Sequence, residues 1–176
     1  MTTGPDIYSH LPTLRRYALV LTRDSDQAED LLQEALLRAV AGAGTWQPER
    51  EALPWLLAIL HNAHVSRQRH RLAETNAARQ ASLLASATLP PPQLEQIHFN
   101  QTVTALMELP EEQRQVLVLV AIKGLSYRQA ADILAVPIGT LMSRLARARE
   151  ALRTAVDRRE APPATRRGLR LVDRES

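Results

Sequence analysis

Residues 124–149, GLSYRQAADILAVPIGTLMSRLARAR, limit what this chain can fold into more than any other stretch. They read as two short helices joined by a tight turn, the second loaded with arginine. Ser126 suits an N-cap, and Gln129 three residues on completes a capping box. Ala130 and Ala131 keep the first helix slim enough for close packing, with Ile133 and Leu134 as its apolar anchors. The turn falls at Ala135-Val136, and Pro137 suits the first position of the next helix, where an N–H would lack a partner anyway. Leu141, Leu145, Ala148 and Leu152 recur at spacings of four, three and four, so they share one buried stripe. Thr140, Ser143, Arg144 and Arg147 fall off that stripe, toward solvent. Small residues near the helix start with arginines behind them suit a helix whose N-terminal half enters a major groove, so a helix-turn-helix is expected. A helical hairpin with a solvated basic face is the plainer alternative. It leaves the agreement of capping box, alanine pair, proline turn and arginine face unexplained.

The rest of the chain is expected to be helical too. Its 176 residues are 45% hydrophobic but only 3% aromatic, which points to Leu/Ala/Val helix packing rather than a β-sandwich. The formal net charge is +3, and Lys123 is the sole lysine, so the basic surface is built from arginine, the side chain that best makes bidentate phosphate and base contacts. With no cysteine, disulfides and thiolate zinc sites are excluded. No apolar run approaches the roughly 18 residues of a membrane span and no signal peptide is visible, so a soluble, cytoplasmic protein without membrane insertion is expected.

Helical periodicity runs over residues 7–72, weakens over 73–92 and resumes over 93–156. The middle stretch is Ala/Ser-rich and ends in three consecutive prolines, as expected of a flexible linker, although its first half could extend the preceding helix. The tail, 157–176, holds two prolines, several arginines and little apolar content, and is expected to be disordered. The fold class is therefore all-α: two small helical domains and a linker. Each half is near the size, about 60 residues, that buries only about 60% of its surface, so docking on something larger is expected.

In the N-terminal half, Leu11, Leu14, Ala18 and Leu21 mark a first helix ended by Thr22-Arg23-Asp24. Ser25 or Asp26 then caps a second, DQAEDLLQEALLRAV. At 3.6 residues per turn Ala28, Leu32, Ala35, Leu36 and Ala39 face inward, while Asp30, Gln33 and Glu34 surround Leu37 on the outward face. A leucine ringed by acids suits docking. Packing of Leu37 on a neighbouring helix fits the wheel equally well. Trp46 stands in a Gly/Pro loop where an exposed ring suggests a binding role. Pro54 opens a third helix with Trp55, expected in the core, near its start and Arg67, Arg69 and Arg71 at its end. Two tryptophans beside a basic helix match a surface that stacks unpaired bases and neutralises phosphates. His61 and His64 are spaced to share a metal, but no third ligand sits at matching spacing, so no metal site is expected. No catalytic triad, Gly-rich phosphate loop or acid/base pair is visible, and neither an enzyme nor a cofactor is expected.

Four segments together, Ala28–Ala39, Trp55–Asn62, Leu109–Leu119 and Gly124–Glu150, resemble bacterial sigma factors of the extracytoplasmic-function type, within the sigma-70 family. The resemblance covers about residues 10 to 155. It implies a region 2-like domain over 7–72, a linker over 73–92 and a region 4-like helix-turn-helix domain over 93–156. It implies an alternative sigma factor that binds core RNA polymerase and directs promoter recognition, DNA melting and initiation in a stress or environmental response, with an anti-sigma factor as a further partner. Asp30, Gln33, Glu34 and Leu37 match the face that grips core polymerase, and Trp46, Asn62, Arg67, Arg69 and Arg71 the minus-ten element. Arg128, Thr140, Ser143, Arg144, Arg147 and Arg149 match the contacts to the minus-thirty-five element.

Family members often carry a basic residue where Met142 stands, a larger one at Ala146, an aspartate near Ser66 and an arginine at His61. These departures bear on promoter sequence and melting. The Leu109–Ala131 stretch is reminiscent of general-stress-response members of alphaproteobacteria. Two rival roles are a stand-alone helix-turn-helix regulator, which would need a dimerisation surface, and a sigma mimic that sequesters an anti-sigma factor, which has no need of Ser143, Arg144 and Arg147.

Overall fold

Three- and four-residue apolar spacing becomes α-helix wherever the chain is described. The computed structural model describes residues 6–47, 49–81, 101–122 and 124–160, and no strand occurs among them. Helix α1 is Leu11–Thr22, α2 Ser25–Ala41, α3 Ala52–Ala81, α4 Gln101–Glu108, α5 Glu111–Ala121, α6 Tyr127–Ile133 and α7 Ile138–Glu160. Single 3-10 turns stand at Tyr8–His10 and Ala43–Thr45. None of the described helices is long and apolar enough to cross a membrane.

Helix ends follow local chemistry. Arg23 terminates α1 in the left-handed region at φ 59°, its N–H donating to Leu19 O at 2.8 Å. Asp24, not Ser25 or Asp26, caps α2: its carboxylate accepts from Gln27 N at 2.8 Å. The cap moves because a carboxylate in extended backbone reaches the third N–H ahead, and Asp24 is the residue that the α1 turn leaves extended. Pro54 lies in the first turn of α3, where proline is tolerated. Helix α3 continues through Ala81, into the stretch expected to be linker; residues 82–100 lie outside the described residues. Helix α7 likewise runs to Glu160, so residues 157–160 are helical rather than part of a disordered tail, and 161–176 fall outside the described residues.

The core of the N-terminal half is as the wheels suggest, with additions. Leu14, Ala18 and Leu21 of α1 are buried, and so are Ala28, Leu32, Ala35 and Ala39 of α2, joined by Tyr17 and Leu31, while Leu36 is half-buried. Leu56, Leu57, Leu60 and Ala63 complete it from α3, and Trp55 packs at its margin.

The two halves do not stand apart. Helix α5 packs on α1 and α6 packs on α3, and Val116, Leu119, Leu125 and Ile133 join the same core as Leu14, Tyr17 and Leu57. Each half is too small to bury all its apolar side chains alone, and each Val or Leu fully withdrawn from water contributes roughly 1.5–3 kcal/mol. That surplus favours closure of the pair.

Candidate polymerase and nucleic-acid interfaces

The helix-turn-helix forms as its sequence dictates. Ser126 Oγ accepts from Gln129 N at 3.2 Å, and Gln129 Oε1 accepts from Ser126 N at 2.8 Å. After α6 the chain closes with Val136 N donating to Ala131 O at 3.0 Å and Ala135 N to Asp132 O at 3.2 Å, with Ala135 left-handed at φ 52°. This is a Schellman turn with alanine in the place glycine usually holds. Leu141, Leu145 and Ala148 are fully buried, and Leu152 is half-buried. On the other side Ser143 and Arg147 are exposed and Thr140 half-buried, with Ser143 Oγ donating to Thr140 O at 3.0 Å. Arg128 is exposed on α6. Two arginines behave differently from their neighbours. Arg144 is only 25% exposed and pairs with Glu112 of α5 at 3.1 Å. Arg149 is exposed, but at about 100° per residue it lies roughly half a turn from Thr140. The reading face therefore brings together Thr140, Ser143 and Arg147, flanked by a tethered Arg144.

On α2, Asp30 and Gln33 are exposed and Leu37 is 72% exposed, with Val40 66% exposed one turn on. No described helix covers Leu37, which decides between the two orientations that the wheel allowed. Asp30, Gln33, Glu34 and Leu37 form one wall of an open groove whose other wall is Ser66, Arg67 and His70 of α3. Glu34 is held between Arg38 of its own helix and Arg67 of α3, and Arg67 also donates to Asp30 O at 2.9 Å. Arg71 donates to Gln27 Oε1 at 3.1 Å. Arg67 and Arg71 thus turn toward α2, Arg67 half-buried and Arg71 exposed, and Asn62 and Arg69 are exposed too.

Trp46 is half-buried rather than exposed, and its indole Nε1 is enclosed without an acceptor among the described residues. α6 of the other half faces this loop. Trp46, Arg50 and Trp55 line a hollow with Gln129 and Asp132, and Gln129 Nε2 donates to Glu51 Oε2 at 3.3 Å.

The seam between the halves holds residues that composition and spacing did not single out. Arg114 of α5 is 1% exposed; its Nε donates to Val20 O at 2.7 Å and its Nη1 to Leu109 O at 2.8 Å. Arg23 Nη2 donates to the same Leu109 O at 2.8 Å. Burial, with the nearby Arg23 charge, brings the Arg114 pKa down to about 10. Glu111 Oε1 lies 2.9 Å from His64 Nε2, and Gln68 Nε2 donates to both carboxylate oxygens at 3.0 Å. The His64 bond, foremost, holds the Glu111 carboxyl below its ordinary range. His61 instead meets Tyr17 Oη through Nδ1 at 3.1 Å, and burial pushes its pKa down to about 4. The two rings that could have shared a metal have separate partners. Only the three-dimensional pairing of helices far apart in sequence makes these contacts visible.

Comparisons with known proteins identify both halves. Residues 7–72 match the family model for sigma-70 region 2, and residues 99–152 the model for sigma-70 region 4. The chain is 39% identical over 147 residues to the ECF RNA polymerase sigma factor EcfG of Rhodopseudomonas palustris (strain TIE-1), covering 84% of this chain and 81% of that protein. It is 30% identical over 160 residues to the ECF RNA polymerase sigma factor SigM of Bacillus subtilis (strain 168), covering 89% of this chain and 96% of that one. Among solved structures it is similar to the sigma factor RpoE of Bartonella quintana, in complex with the anti-sigma factor NepR, at a TM-score of 0.69 and 32% identity, covering 86% of this chain and 94% of that one. Neither half alone is long enough to give that score, so the placement of the halves is shared as well as their folds. With both regions matched in order and relatives of this identity along most of its length, the chain belongs to the extracytoplasmic-function RNA polymerase sigma factors.

Proposed function

We propose that this sigma factor divides its work between two open faces. Asp30, Gln33 and Leu37, extended by Val40, dock on core RNA polymerase. Thr140, Ser143 and Arg147, with Arg128 on α6 and Arg144 steadied by Glu112, contact the minus-thirty-five element. Trp46, Asn62 and Arg69 serve the minus-ten element, where stacking and pocket contacts offset the few kcal/mol needed to extrude a base. Glu34 and Arg67 bond to one another, so in this reading they position α2 against α3 rather than contact a partner separately. Arg71 and Arg149 contribute charge at the margins. The chain supplies no chemistry of its own; it confers promoter choice on the polymerase, in the cytoplasm, under stress or environmental control.

The observation that carries this reading is an uncovered leucine flanked by Asp30 and Gln33 in the same chain as a capped helix-turn-helix with an open arginine face. An anti-sigma partner is part of the proposal, because the similar sigma factor of Bartonella quintana was solved in complex with one. Asp30→Arg combined with Leu37→Asp tests the docking face, since both side chains are exposed and no core contact is lost. The expected result is at least a tenfold loss of affinity for core polymerase with an unchanged thermal melt. Undiminished affinity would assign core binding elsewhere.

A further inference from the structure

The seam between the halves holds a half-open polar cavity of about 320 Å³ whose walls come from α1 and the turn after it, α2, α3 and α5. Four arginines line it, Arg23, Arg67, Arg71 and Arg114, and with Arg67 paired to Glu34 outside the cavity the other three face a single acid, Glu111. The balance is not a surface coincidence. Arg23 and Arg114 converge on one carbonyl, Leu109 O, each at 2.8 Å, which brings two like charges together where Arg114 is 1% exposed. Glu111 is already engaged by His64, Gln68 and Gln115. Arg23 Nε is enclosed and finds no acceptor among the described residues. Buried guanidinium donors ordinarily have acceptors, and a like-charged pair in a confined site favours an anion between its members.

Arg23 takes the left-handed conformation, φ 59°, that ends α1, as Ala135 does after α6 at φ 52°, and that turn sets where its side chain starts. Here the side chain is what reaches across the seam.

We propose that the seam cavity is a binding site for a small phosphate-bearing anion, held by Arg23 and Arg114 on one wall and Arg71 on the other. A polyphosphate presents several acceptor oxygens to planar guanidinium forks, the pairing that arginine makes best. Its volume admits an anion of pyrophosphate to mononucleotide size. Because the walls belong to both halves, the bound anion stabilises their closure, in which the loop of Trp46 lies against α6. Resting on the sigma-factor reading above, the consequence is regulatory: the anion favours the arrangement in which the minus-ten loop is covered and disfavours promoter engagement.

The test uses the full chain and inorganic pyrophosphate as probe, followed by titration calorimetry at physiological salt. One-to-one saturable binding is expected, weakened at least tenfold in Arg23→Gln and in Arg71→Gln, and unchanged in Arg147→Ala, which removes charge only from the recognition helix. Arg71 has one side-chain hydrogen bond, to Gln27, so its variant keeps the test decisive if Arg23→Gln fails to fold. A dye pair on cysteines at Arg16 and Arg153, in a chain with no cysteine of its own, reports the distance between the halves; pyrophosphate is expected to raise the short-distance population. Absence of binding, binding in both cavity variants as tight as in the unaltered chain, or loss of binding in Arg147→Ala overturns the site. A short non-promoter DNA duplex that displaces the probe at equimolar concentration also overturns it, by assigning the cavity to nucleic-acid phosphates. Core binding and transcription are read separately, so failure here with transcription intact leaves the sigma-factor reading standing.

Discussion

The basic end of α3 and the recognition helix α7 carry similar runs of arginine, yet the fold gives them different work. In α3, Arg67 and Arg71 are drawn onto α2 by Glu34, Asp30 O and Gln27 Oε1, and only Arg69 of the three stays unengaged by these partners and exposed. In α7, Arg144 alone is drawn to another helix, while Arg147 and Arg149 remain in solvent. What differs is the neighbour. α3 lies along a helix that offers carboxylate and amide oxygens, whereas no described helix lies over the face of α7 around Ser143 and Arg147. A basic stripe is therefore a strut or a reading face according to what stands opposite, and sequence charge alone does not distinguish the two.

Arg114 is the extreme of the captured class, and its loss should give the largest effect. Arg114→Ala removes two charge-assisted hydrogen bonds at roughly 1.5–3 kcal/mol each, so a loss of about 4 kcal/mol is expected in urea unfolding. An effect below about 1 kcal/mol would mean that the seam contributes little to the fold. Next comes pH, because α3 carries buried imidazoles. His61 titrates at about 4 in the folded protein against an ordinary 6.5, so the unfolded chain binds the extra proton between those values. Stability is accordingly full above about pH 6.5 and lost as pH falls toward 4, by up to about 3 kcal/mol. The lowered carboxyl of Glu111 adds a further loss as pH drops below its ordinary range. Denaturation series at pH 7.5 and 4.5 check this, and His61→Gln, which keeps an acceptor for Tyr17, should flatten the dependence.

The strut and the reading face then separate in a matched pair. Arg67→Ala is expected to lower stability by about 1 kcal/mol, as a partly exposed ion pair allows, and to leave the salt dependence of promoter binding unchanged. Arg147→Ala should do the reverse, with an unchanged melt and a salt slope smaller by about one unit. Interchanged results would break the comparison between the two helices.

Local chemistry was readable in the sequence. The capping box of Ser126 and Gln129, the buried stripe of α7 and the inward face of α2 all follow from spacing, because each depends on residues within two helical turns. The family resemblance added region 2 and region 4 and their order. What escaped depends on contacts between distant segments. Arg114 sits in a charged stretch whose spacing does not mark it as buried, and its acceptor Val20 O lies 94 positions away. Trp46 is half-buried, and it shares its hollow with α6 residues from the other half. Leu37 was ambiguous until the neighbours of α2 were known. The cap at Asp24 is a smaller case: spacing pointed to Ser25 or Asp26, and the left-handed turn at Arg23 gives the cap to Asp24 instead.

Run-off transcription with sigma-free core polymerase, on a pooled library of genomic promoters and with or without this protein, tests the central claim most directly. Discrete transcripts that require the protein, and that are lost with Asp30→Arg/Leu37→Asp, are the expected result. Transcripts identical with and without the protein, together with no measurable affinity for core, would contradict a role in initiation.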